Sequence, residues 1–189
     1  MGLKELTMEQ HSNAERQKFA SILMSGKIPK ISYLRYLFNQ FACYNALESH
    51  DKFTLPHIDL KRCLHIERDI NELQKDLSLD RLESLDIVLT ESTLHYIKYV
   101  KQNIKTQDNF MAHIYVRYLG DLRGGQMIAK KIPGSGNYYK FNNPQELAQS
   151  IYIHLNDDMA EEAKKVFNFA TKLFIEMYTE MVEKNEINI

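Results

Sequence analysis

Apolar residues recur three and four positions apart over most of the chain, from "LKELTMEQHSNAERQKFASILM" near the start to "VFNFATKLFIEMYTEMV" near the end. That period is the one-sided stripe of amphipathic helices. No stretch alternates apolar and polar residues as a half-buried strand does. The spacing predicts helices over 3–24, 30–50, 57–76, 80–87, 90–105, 108–131, 144–156 and 158–185. The separators are places where helix is costly: Gly26 to Pro29, the surroundings of Pro56 and Ser78, Thr106 to Asp108, and "PGSGNYY" from Pro133 to Tyr139. The expected fold is all-α, with one domain over 1–189.

One segment breaks the pattern from inside a helix. "YLGDLRGGQ", Tyr118 to Gln126, carries three glycines where both flanks read as helix. Each glycine costs about 1 kcal/mol relative to alanine. Gly120 and Gly124 lie four apart and share a face, which Gly125 widens. Such a bare stripe lets a partner lie almost on the backbone, although the spacing alone favours a close helix crossing or a helix stop over a ligand platform. Asp121 adds a carboxylate to surroundings rich in Tyr, Leu and Ile, with Arg117 one turn earlier as an ion-pair partner. Either the two form a structural pair, or the carboxylate holds water beside a reactive ligand.

Composition narrows the classes. With 44% hydrophobic and 26% charged residues and a formal net charge of −1, the chain lacks the basic excess of a nucleic-acid binder. No apolar run approaches the ~20 residues of a membrane span, and neither end reads as a signal, transit segment or tail anchor. Cys43 and Cys63 form no CxxC pair, so a reducing, cytoplasmic setting is expected.

"HIYVRYLGDLRGGQ", His113 to Gln126, closely resembles the distal-helix signature of the haem oxygenases, a long contiguous match. The resemblance implies a helical bundle holding haem between a proximal helix and a kinked, glycine-rich distal helix, whose backbone lies close to the iron-bound oxygen. It implies oxidative ring opening of haem to biliverdin, with release of ferrous iron and CO. Haem is then both substrate and cofactor. O2 is the co-substrate, and electrons come from a ferredoxin or a reductase, since no flavin, nicotinamide or iron–sulfur motif is present. Lys98, Lys101, Lys105, Lys130 and Lys131 are lysines that could steer such a donor. No nucleic-acid or membrane partner is expected, and the expected state is a monomer.

A haem between two helices needs an axial ligand opposite the glycines. Of seven histidines, His11 stands out because Glu15 at i+4 can bond its second ring nitrogen and set the tautomer. Lys4, two turns earlier on the same face, is placed to meet a propionate. "HSNAERQKF" also resembles the family's proximal helix, and His11 is assigned as the iron ligand. "CYNALE", Cys43 to Glu48, resembles the second-helix segment, which implies that Tyr44 joins the network around Asp121. Tyr115 matches a propionate-contacting tyrosine, and Phe167 and Phe174 match haem-facing aromatic positions in the last long helix, where phenylalanines are ordinarily core. The expected catalytic set is thus Asp121, Gly120, Gly124, Arg117 and Tyr44. The expected haem-binding set is His11, Lys4, Glu15, Tyr115, Gly125, Phe167 and Phe174.

Several positions depart from the family. Ala148 and Tyr152 stand where a lysine and an arginine commonly bind propionates, Ala170 replaces a distal-network asparagine, and Arg123 replaces a small residue. Two missing cations also leave open a non-catalytic haem carrier or sensor of the same fold. A di-iron enzyme of related architecture would need two Glu-x-x-His pairs. "ESTLH", "ESH" and "EQH" all miss that spacing.

Overall fold

The computed structural model describes residues 2–78 and 87–187. Among them regular structure is helical throughout: α1 Leu3–Leu6, α2 Met8–Glu15, α3 Lys18–Ser25, α4 Lys30–Glu48, α5 Cys63–Asp76, α6 Glu91–Asn103, α7 Gln107–Ile114, a π-helical turn Tyr115–Leu119, α8 Gly120–Arg123, α9 Gly125–Ile128, α10 Pro144–Tyr152 and α11 Ala160–Glu183. The expected helix over 80–87 lies outside the described residues, apart from Ile87.

Helix ends follow local chemistry. Gly26 adopts φ 76° and stops α3 in the left-handed conformation that glycine takes most readily. Thr90 and Thr106 cap α6 and α7 by accepting the amides of Thr93 and Asn109. Pro144 opens α10 at a position where its missing N–H costs nothing.

Three predicted helices are broken or begin late, and the one over 144–156 stops at Tyr152. The expected helix over 3–24 is three pieces. Thr7 Oγ1 donates to the Leu3 carbonyl at 2.9 Å, and Gln17 is extended with its amide on the Asn13 carbonyl at 2.9 Å. Side chains that bond the local backbone compete with continuous helix. The segment before Cys63 forms only a 3-10 turn, Ile58–Leu60, which His57 Nδ1 caps at the Asp59 amide. The segment over 108–131 changes winding at Tyr115 and ends at Ile128.

α4 lies at the centre. It is buried on nearly every side, including Tyr33, Leu34, Tyr36, Leu37, Asn39, Gln40, Cys43, Tyr44 and Leu47. α5, α6 and α11 pack around it. α11 also packs on α2, α3, α7 and the π turn, so one long helix links the chain's start to its glycine segment.

Candidate active site

The π turn places Tyr115 at one end and hands the chain to Gly120 and Asp121 at the other. Isolated π turns inserted in helices often mark functional positions. Gly120 is exposed with ordinary helical angles, φ −57° and ψ −48°, and a Cβ built there would meet nothing within 4 Å. Its missing side chain leaves open space. A Cβ on Gly124 would come 3.2 Å from the Gly120 carbonyl.

Gly125 is different. It is buried, and a Cβ there would overlap the Tyr139 ring. The third glycine makes room for a tyrosine of this chain, so of the three positions expected to lie bare for a ligand, Gly125 is covered by the chain itself.

Asp121 is half-buried and accepts a hydrogen bond from the Tyr44 hydroxyl at Oδ2. Tyr138 OH donates to Oδ1 at 3.3 Å and lies 3.3 Å from the Tyr44 hydroxyl. Desolvation pushes the Asp121 carboxyl up to about 7, while the two phenols, and Arg62 and Arg117 more remotely, pull it back. The carboxyl therefore holds and loses a proton near neutrality.

The expected Arg117–Asp121 pair is not formed. Asp121 is turned to the phenols of Tyr44 and Tyr138, which other elements contribute. Arg117 instead donates from Nη1 to Gln40 Oε1 at 3.3 Å and stacks 4.1 Å over the Tyr96 ring. Its Nε is buried without a hydrogen-bond partner. Gln40 Nε2 then reaches Tyr36 OH at 2.8 Å and Tyr138 OH at 3.0 Å, which ties Arg117 to the phenols around Asp121. Behind Tyr96 lies His113, wholly buried, with Nδ1 2.7 Å from the Tyr96 hydroxyl and Nε2 3.2 Å from Glu162. Burial lowers its pKa, against the pull of Glu162.

Tyr138, Gln40 and Tyr96 were not singled out in the sequence. Gln40 lies one turn before Tyr44, a spacing that could have flagged it. Tyr138 lies in the glycine-rich "PGSGNYY" stretch, which carries no periodic signal.

His11 sits on α2 with its side chain 45% exposed. Nε2 faces Glu15 Oε1 at 3.4 Å, and Nδ1 makes no hydrogen bond to the described residues. The ring meets Phe167 edge-on at 5.3 Å between centroids, and Phe167 in turn meets Tyr115 at 6.5 Å. The Tyr115 hydroxyl is 3.4 Å from Thr7 Oγ1, and exposed Lys4 lies one turn before Thr7. Phe167 thus joins His11 to the start of the π turn. Phe174, two turns further along α11, is half-buried and packs on Phe19 and Tyr36 at 5.7 and 6.3 Å, at the edge of the core.

The arrangement places an accessible imidazole, an open glycine face and a carboxyl that titrates near neutrality around one stretch of helix. Residues 1–176 match the family model described as Heme oxygenase. The chain belongs to the haem oxygenase family. Among curated haem oxygenases, that of Guillardia theta is 30% identical, with 86% of this chain and 69% of that protein covered. The Porphyra purpurea protein is 27% identical over 95% of this chain and 84% of its own length. The crystal structure of heme oxygenase-1 from Synechocystis in complex with heme superposes with a TM-score of 0.78 at 23% identity, covering 97% of this chain and 94% of that one. The Leptospira interrogans haem oxygenase structure gives 0.76 at 26% identity, over 93% and 100%. The all-α architecture expected from periodicity is the haem oxygenase architecture.

Proposed function

We propose that this chain, as one domain, binds haem between His11 and the Gly120 face and opens its ring with O2 and external electrons, giving biliverdin, ferrous iron and CO. The observation that carries this reading is the physical link from His11 through Phe167 and Tyr115 to the π turn that presents Gly120 and Asp121. The residues suit the group in three ways. The imidazole has one nitrogen on a carboxylate and the other without a partner. The space over Gly120 is open. A buried Arg117 Nε lacks an acceptor, which suits ordered water at the distal side.

When bound, haem supplies the iron at which O2 is bound and reduced. His11 holds that iron, and Glu15 sets which ring nitrogen faces it. Gly120 and Gly124 admit a flat molecule against the backbone and keep side chains from the reacting edge. Asp121 holds a proton at its carboxyl and delivers it through water, with Tyr44 and Tyr138 fixing the carboxyl's orientation. Arg117, through Gln40, positions Tyr138 and keeps a fixed positive charge near the site. Lys4 and Tyr115 offer a cation and a hydroxyl to a propionate. Phe167 packs against the histidine.

Adding haem to the purified protein should give a histidine-ligated Soret spectrum, and reductant with oxygen should then give a bilin identifiable by chromatography. His11→Ala should remain folded and lose that spectrum, with added imidazole restoring part of it. Bound haem that survives reductant and oxygen intact would indicate a carrier or sensor instead.

A further inference from the structure

Arg123 and Tyr152 hold each other at the surface without a packing reason. Arg123 Nη2 donates to Tyr152 OH at 2.9 Å, with the guanidinium carbon 5.5 Å from the ring centroid. Both residues are exposed, Tyr152 by 39%. Among the described residues no carboxylate pairs with Arg123. Ordering two long exposed side chains costs rotamer freedom that one solvated contact hardly offsets.

Their placement gives the contact a use. Arg123 follows Gly120 by three residues, so it lies on the same side of α8 as the open glycine position. Tyr152 ends α10, which packs on the π turn. One of five guanidinium N–H groups is spent on the phenol oxygen, and the others make no hydrogen bond to the described residues. The phenol, acting as acceptor, keeps its own proton to donate. A planar fork and an adjacent hydroxyl donor, held together at the margin of a flat open face, match one carboxylate of a planar molecule.

We infer that Arg123, held by Tyr152, binds a propionate carboxylate of the porphyrin and so sets how the ring is turned within the site. This rests on the haem-binding reading above. Tyr152 brings no charge of its own. It works by fixing the rotamer of a cation from another helix, so that less freedom is lost when the carboxylate arrives. Arg123 is then a substrate-binding residue and Tyr152 a positioning residue.

Equilibrium titrations of the intact protein with haem and with haem dimethyl ester, which has the same ring without the charges, test this. Arg123→Gln should weaken haem binding about tenfold and leave ester binding within about twofold. Arg123→Lys should lose an intermediate amount, and Tyr152→Phe about threefold. In the Tyr152→Phe background the further cost of Arg123→Gln should be smaller than in the unaltered protein, because the two act as a pair. Unchanged apoprotein melting temperatures would show that the fold is intact. Equal losses for both ligands, or no loss for haem, would overturn the role of Arg123 while leaving the haem site standing. Failure of the unaltered protein to bind haem at all would overturn both.

Discussion

At the scale of single residues, Asp121 is the proposed proton donor. Its carboxyl titrates near 7 because desolvation outweighs the two phenols that favour its charge. In the unfolded chain it titrates about 3 units lower. Between those values the folded state holds a proton that the unfolded state has released, so this group's contribution to stability falls as pH rises from about 4 to 7 and is level above 7. Asp121→Asn keeps the shape and an acceptor for Tyr44 but removes the titration. Its melting temperature should therefore exceed that of the unaltered protein by the most above pH 7, with the gain shrinking towards pH 4. Thermal melts at pH 4, 6 and 8 check this, and a constant difference would contradict it. Asp121→Ala should still bind haem, because the carboxyl is no iron ligand, and should form little bilin. Full bilin yield from a folded Asp121→Ala protein would remove the proton-delivery role. The position was legible in the sequence as a carboxylate among apolar neighbours. Its hydroxyl partner Tyr138, 17 residues on, was not, because nothing local aims that side chain.

At the scale of the element, the three glycines separate into different uses that spacing alone treats as one stripe. Gly120 faces open space, so Gly120→Ala should raise apoprotein stability by up to about 1 kcal/mol through helix propensity. It should at the same time weaken haem binding, since the added methyl occupies the approach. Gly125 faces Tyr139, and Gly125→Ala should cost about 1–3 kcal/mol as ring or backbone shifts to relieve the overlap. Denaturant melts of the two apoproteins should move in opposite directions. Movement in the same direction would mean that the stripe acts as a unit. An i, i+4 reading of Arg117 and Asp121 fails here because other elements claim both side chains: Gln40 and Tyr96 take the guanidinium, Tyr44 and Tyr138 the carboxyl.

At the scale of the whole molecule, a clamp on the Asn137–Tyr139 turn aims Tyr138. Asp69 on α5 is buried and accepts the Asn137 amide, its side chain and the Tyr138 amide, each at 2.8 Å. Arg62, equally buried, donates to the Tyr138 carbonyl at 3.2 Å and the Lys140 carbonyl at 2.8 Å. Together they hold the Asn137–Tyr139 turn against α5 so that its phenol reaches Asp121. Asp69→Asn loses the charged acceptor and should cost about 1–3 kcal/mol. It should also lower bilin yield per folded molecule while leaving the histidine-ligated haem spectrum in place. A loss of stability with turnover per folded molecule preserved would show that the clamp serves the fold alone.

The sequence by itself determined the helical class and the main breaks, and through its family resemblance offered His11, Glu15, Gly120 and Asp121 as candidates. Helical period, glycine and proline costs, and short spacings within one helix are local properties that adjacent residues carry. Tertiary structure alone decided that Arg117 turns to Gln40 and Tyr96, that Gly125 belongs to Tyr139, and that Arg123 meets Tyr152 across two helices. Those outcomes depend on which side chains from distant segments compete for one donor or one space. That competition exists only once α4, α6, α10 and the Asn137–Tyr139 turn are packed around the glycine segment.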